Sequence, residues 1–123
     1  TMTFEKTVDG EFRSMMGVSP TEMVNTIIEA GAELIGANCG SGIANMIGIV
    51  EEIRKANKEI PILVHANAGM PIYKDGETVF PETPDEMAQL VPKIINAGAN
   101  VVGGCCGTTP EHISRVRYAA DQK

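Results

Sequence analysis

Residues 30–40, Ala-Gly-Ala-Glu-Leu-Ile-Gly-Ala-Asn-Cys-Gly, return without a gap at residues 97–107 as Ala-Gly-Ala-Asn-Val-Val-Gly-Gly-Cys-Cys-Gly. Six of the eleven positions are identical, and Cys39 falls on Cys106. In each copy the leading glycine, Gly31 or Gly98, stands where a helix must stop on a left-handed residue. The apolar runs that follow, Leu34–Ala37 and Val101–Gly104, read as strands, and Ile62-Leu63-Val64 between them is a third. Runs without polar alternation are what parallel strands look like when helices cover both faces. Each copy of the repeat therefore delivers a thiol to the carboxyl end of a strand, just before a glycine turn.

Outward from the repeat, helix starts are well marked. Ser19-Pro20-Thr21-Glu22 and Thr83-Pro84-Asp85-Glu86 combine an N-cap hydroxyl, a proline in the first turn and a reciprocal glutamate. Thr109-Pro110-Glu111 opens a further helix with His112 in the glutamate's place. Met23, Ile27 and Ile28, then Met46, Ile49, Val50 and Ile53, recur at helical spacing. The expected order is a strand stub at Thr3–Glu5, then helices near 20–30, 42–56, 84–97 and 110–120 with the three strands between them. Pro92 should kink or split the third helix. The connection from Gly69 to Glu82, with Pro71, Asp75-Gly76 and Pro81, shows no periodicity, and one so long is more often functional than idle. His65 reads as a hydrogen-bonded core histidine. Glu51-Glu52 with Arg54-Lys55 reads as a solvated helix face.

Strand–helix units in series predict an α/β fold of the (β/α) barrel kind. A complete eightfold TIM barrel takes roughly 250 residues, about 31 per unit, so the 123 residues hold four units, a single domain over 1–123 that is half a barrel with its first strand truncated. An open half barrel exposes sheet edges and apolar interior. It is expected to pair as a homodimer or to be cut from a longer chain, and the abrupt start at Thr3-Phe4-Glu5 favours the cut.

Composition narrows the function. Ten Lys and Arg against sixteen Asp and Glu leave a net charge of −6, which argues against binding nucleic acid. The amino terminus has no apolar signal segment, and no run approaches the ~20 apolar residues of a membrane span. Three cysteines, two of them adjacent, are not a secreted disulfide framework; a cytoplasmic, reducing setting is expected.

In a barrel, chemistry sits at the carboxyl ends of the strands, where Cys39, Cys105 and Cys106 all fall. The two strands that carry them are separated by one strand, close enough to share a small ion. Three thiolates at about 2.3 Å suit zinc with a fourth position open. Zinc with three anionic sulfurs activates water poorly, but a coordinating thiol loses its proton outright. Such a centre suits alkyl transfer to the sulfur of a bound thiol, with the cysteines as ligands rather than nucleophiles. Two other readings of the same residues stand beside it. Cys105 and Cys106 can form a vicinal disulfide, and Gly103-Gly104 with Gly107-Thr108-Thr109 before a helix can cradle a phosphate.

Asn38-Cys39-Gly40 and the segment Gly103-Gly104-Cys105-Cys106-Gly107-Thr108-Thr109-Pro110-Glu111-His112-Ile113 resemble the zinc-binding segments of the homocysteine S-methyltransferase family. That family includes cobalamin-dependent methionine synthase and betaine–homocysteine methyltransferase. Asn67-Ala68-Gly69-Met70-Pro71 and Thr3-Phe4-Glu5, followed by Asp9-Gly10 and Met16-Gly17, are similar to further stretches of its second half. The resemblance implies the C-terminal half of a (β/α)8 barrel, with Cys39, Cys105 and Cys106 as Zn2+ ligands. It implies Glu5 near the amino acid portion of homocysteine, and Asn38 and Asn67 as orienting residues beside the substrate. The implied activity is zinc-dependent methyl transfer to the homocysteine thiol, giving methionine, with a donor such as methylcobalamin bound elsewhere. The family's glycine-rich first-strand segment has no counterpart in these residues. The alternative is therefore a non-catalytic zinc-binding module that needs a missing N-terminal half or a partner.

Overall fold

The computed structural model describes residues 1–122. Its elements run β1 (Glu5–Lys6), β2 (Phe12–Arg13), α1 (Pro20–Glu29), β3 (Ile35–Cys39), α2 (Ile43–Ala56), β4 (Ile62–Ala66), β5 (Ile72–Lys74), β6 (Glu77–Val79), α3 (Pro84–Ala97), β7 (Val101–Gly104) and α4 (Pro110–Asp121). The central sheet is parallel in the order β3-β4-β7. Met2 extends it by an isolated parallel bridge to Ala37, with Met2 N donating to Gly36 O and Asn38 N donating to Met2 O. The stub thus lies beside β3 one to three residues earlier than expected. Glu5 belongs instead to an antiparallel pairing, Glu5 opposite Arg13 and Lys6 opposite Phe12.

The caps form as their residues dictate. Ser19 Oγ accepts from Glu22 N in α1, and Thr83 with Glu86 completes a reciprocal box in α3. His112 takes the glutamate's role in α4: Thr109 N donates to its Nδ1 at 3.2 Å, while His112 N donates to Thr109 Oγ1 at 3.3 Å. Helix α3 runs unbroken through Pro92, so the expected split does not occur. The connection after β4 also contains an unforeseen element, the β5–β6 hairpin, turning at Asp75-Gly76, both with positive φ.

The core lies between the sheet and its helices. Ile35 and Ala37 of β3, and Ile62, Val64 and Ala66 of β4, are buried with Met46, Ile49, Val50 and Ile53 of α2 and Met87, Val91 and Ile94 of α3. The opposite face, apolar as expected, is not covered to the same degree, although helices were expected over both faces of the strands. Leu63 and His65 are half-buried, and Leu34 and Val101 each retain 48% of their surface. Nor is Arg54 part of a solvated face. Its guanidinium donates to Ile60 O at 2.8 Å, Gly98 O at 2.7 Å and Asn100 Oδ1 at 3.1 Å, binding the end of α2 to the turns that lead into β4 and β7. Its neighbour Glu52 accepts from Thr21 N and Oγ1 at the start of α1.

Candidate metal centre

Strand order decides the site. β4 lies between β3 and β7, and the register Cys39–Ala66 and Ala66–Gly104 brings the three strand ends level. An extended pleat would keep Cys39 on the side of buried Ile35 and Ala37. Cys39 instead adopts φ 59°, and Gly40 follows at φ 72°. A left-handed non-glycine residue costs of order 1–3 kcal/mol and persists only where its surroundings hold it. Here it breaks the alternation and leaves Cys39 Sγ half-buried, 3.2 Å from the donating Asn38 Nδ2.

On the other side, Cys105 N donates to Ala66 O at 2.8 Å, and Thr108 closes the turn by donating from Oγ1 and N to Cys105 O at 2.7 and 3.2 Å. Gly107, φ 80°, completes that turn under the ring of Phe80, where a Cβ would overlap the ring. The turn is what lets adjacent residues present both sulfurs to one point. All three thiols are free; Cys39 and Cys105 are half-buried and Cys106 is exposed. Their sulfurs lie within 4.8 Å of one another, 2.8 Å between Cys39 and Cys105 and 3.9 Å between Cys105 and Cys106.

These distances fit one metal ion. Sulfurs bound tetrahedrally to zinc at about 2.3 Å stand about 3.8 Å apart. The Cys105–Cys106 pair already has that spacing, and the Cys39–Cys105 pair must open by about 1 Å. Among the described residues this is the cluster of cysteine, histidine and acidic side chains with metal-binding geometry, and no histidine or acidic side chain joins the three cysteines in it.

The family profile for homocysteine S-methyltransferases matches residues 1–120. The chain belongs to the homocysteine S-methyltransferase family. It is 41% identical over 90 residues to methionine synthase of Mycobacterium leprae (strain TN), covering 72% of this chain and 7% of that protein. To methionine synthase of Mycobacterium tuberculosis (strain ATCC 25618 / H37Rv) it is 34% identical over 114 residues, covering 92% of this chain and 10% of the relative. The chain thus spans a tenth or less of these relatives. Its fold resembles crystal structures of the homocysteine methyltransferase MmuM from Escherichia coli. The metallated form superposes with TM-score 0.63 at 22% identity over 83% of this chain and 30% of that one. The apo form gives 0.66 at 21% identity over 86% and 34%.

In this family member the other expected site residues divide. Glu5 lines a cleft of about 390 Å³ together with Lys6, Gly40, Ser41, Asn45 and Met70. Gly40 directly follows Cys39 in the chain, while the three cysteines themselves do not line the cleft. Asn38 and Asn67 do not line it. Asn38 Nδ2 donates to Thr3 Oγ1 and Cys39 Sγ, and Asn67 engages the main chain of Gly40 and Cys106. Lys6, Ser41, Asn45 and Met70 were not legible as lining residues, since only the β1–β2 pairing and the β4–α3 connection bring them together. Ser41, two residues beyond Cys39 and before α2, and Met70, within the family-like stretch Asn67–Pro71, were the signals available.

Glu82 is also near this end of the sheet. Burial pushes its carboxyl above the ordinary range, Glu86 pushes it further and His112 opposes the rise. Its Oε1 is buried without a hydrogen-bond partner. No helix among the described residues is long and apolar enough to cross a membrane.

Proposed function

We propose that the chain is the zinc-bearing part of a homocysteine S-methyltransferase, with Cys39, Cys105 and Cys106 as the three protein ligands and a substrate thiol in the fourth place. The observation that carries this is the convergence of three free sulfurs from two strands, with no histidine or acidic side chain joining them among the described residues. Bound zinc supplies thiol deprotonation at neutral pH. The chain's own residues supply the rest. The left-handed turn at Cys39 and the Thr108-closed turn at Cys105 present the sulfurs, and the Asn38 amide donates to Cys39 Sγ and holds it in place.

Glu5 and Lys6 place opposite charges at the cleft beside Gly40, a pairing suited to the ammonium and carboxylate of an amino acid whose thiol reaches the sulfurs. The methyl donor, with methylcobalamin as one candidate, would be held elsewhere. X-ray absorption at the zinc edge tests the scheme. Three sulfur neighbours at about 2.3 Å should become four when homocysteine is added, with about one proton released per thiol bound. An unchanged sulfur count, with no proton release by calorimetry in buffers of different ionisation enthalpy, would count against it.

The half-exposed Leu34 and Val101 on the far face of the sheet favour a further reading. This chain is half of a (β/α)8 barrel, and turnover requires the strands that would cover that face. The isolated chain then binds zinc without forming methionine, and adding the complementary half restores the activity. Methionine formation by a homodimer of this chain would instead support the halves pairing with each other.

A further inference from the structure

The connection between β4 and α3 ends on Phe80-Pro81-Glu82, and this segment lies against the turn that carries two of the sulfurs. Phe80 is half-buried, with its Cβ and ring seated on the α-carbon of Gly107, the residue after Cys106, where no side chain would fit. Several contacts hold the segment there. Pro81 and Glu82 close on Gly69, Glu82 N donates to Ala68 O at 3.0 Å, and His112 Nε2 donates to Glu82 O at 2.7 Å. Proline also fixes its own φ and confines the preceding Phe80 to extended backbone. We infer that Phe80 is a positioning residue, an apolar plate that keeps Gly107 in its left-handed conformation and so holds the Cys106 sulfur beside the Cys105 sulfur for the metal. This rests on the reading of the three cysteines as ligands.

The turn needs such a plate. Two adjacent residues bring their sulfurs to one place because the chain reverses at Gly107, φ 80°. Glycine leaves such a conformation more readily than other residues, having no Cβ to confine it. Cys106 is exposed, and three thiolates brought together repel one another, so a free turn would swing that sulfur outward into solvent. The ring blocks the motion by filling the space over Gly107. It brings no donor atom of its own to compete for the ion, and an apolar surround limits the water that reaches a metal centre. Restricting the turn before the metal arrives also lowers the ordering cost of binding.

The test is a double-mutant cycle on Phe80→Ala and Gly107→Ala, with Cys106→Ser and the unaltered chain as references. Zinc affinity is read by competition with a chromophoric chelator, and Co2+ serves as a spectroscopic probe. Phe80→Ala removes no donor atom and no hydrogen bond, yet it should bind zinc roughly 10-fold more weakly, with altered d–d bands in the cobalt spectrum. In the Gly107→Ala background the same replacement makes room for the new methyl group, so there it should strengthen zinc binding. That reversal of sign reports contact between the two residues. An effect of Phe80→Ala that is the same in both backgrounds, or an affinity and cobalt spectrum equal to the unaltered chain's, overturns the plate while the cysteine centre stands. A weakening that follows lowered stability in urea, with the cobalt bands unchanged, assigns Phe80 to folding and also overturns it. Failure of the unaltered chain to bind zinc, or undiminished affinity in Cys106→Ser, removes the cysteine centre and the plate with it. Should Gly107→Ala not fold in either background, Phe80→Leu decides. A side chain that still covers Gly107 should restore most of the affinity lost in Phe80→Ala, and a loss equal to that of Phe80→Ala refutes the plate.

Discussion

Replacing Cys106 by serine separates metal binding from folding more cleanly than the other two cysteines allow. Cys106 is exposed, whereas Cys39 and Cys105 are half-buried. Its turn is held by main-chain groups: Cys106 O accepts from Ala68 N, and Cys106 N donates to Asn67 Oδ1. Exchanging Sγ for Oγ disturbs neither bond, so metal-free stability should stay within about 0.5 kcal/mol, as for other surface substitutions. The metal responds differently. Zinc held by four protein donors gains about 10–16 kcal/mol at neutral pH, or roughly 2.5–4 kcal/mol per donor. A serine hydroxyl keeps its proton at this pH and does not replace a thiolate. Zinc affinity should therefore fall roughly 100- to 1000-fold. Elemental analysis after dialysis against a graded chelator series measures the fall, and urea unfolding of the metal-free chain supplies the control. Metal retention equal to the unaltered chain's, with normal unfolding, would mean that the third sulfur is no ligand.

The fold favours the protonated form of Glu82, because its carboxyl is raised by burial and by Glu86. The stability this provides is complete below the ordinary carboxylate value and is lost as pH rises through the higher folded-state value. Glu82→Gln should therefore melt with the unaltered chain at low pH and above it at pH 8; an equal difference at both would refute the assignment. His112→Ala removes the reciprocal half of the α4 cap and leaves Glu82 O without the ring nitrogen 2.7 Å away. A loss of about 2–3 kcal/mol is expected in urea unfolding, and a loss under about 0.5 kcal/mol would exclude the role. Gly107→Ala places a methyl group against Phe80 at a backbone with φ 80°. It should cost about 1–3 kcal/mol and weaken zinc retention by displacing Cys106; unchanged melting would show that the turn adapts freely.

The repeat at residues 30–40 and 97–107 exposed the strand ends and their thiols because one physical unit, a helix stopped by glycine and followed by a short strand, was written twice. Helix bounds were legible from proline and capping residues, whose preferences are local. Even His112 kept its place, since an imidazole nitrogen accepts from the N-cap amide as a carboxylate would. The β1–β2 and β5–β6 pairings were not legible because strands of two or three residues are too short to carry a periodic signal. Arg54 was misread for a related reason, as its partners lie as far away as Gly98 and Asn100.

The sequence by itself determined which side chains have the chemistry to hold a metal and that they stand at strand ends, for thiols and glycine turns are properties of residues and short segments. Only the tertiary structure decided the register that brings the three strand ends level, that a left-handed Cys39 turns its sulfur to within 2.8 Å of Cys105, and that Asn67 spans both loops. Those outcomes depend on strand order, register and main-chain carbonyls, which belong to the packed chain rather than to any one stretch of it.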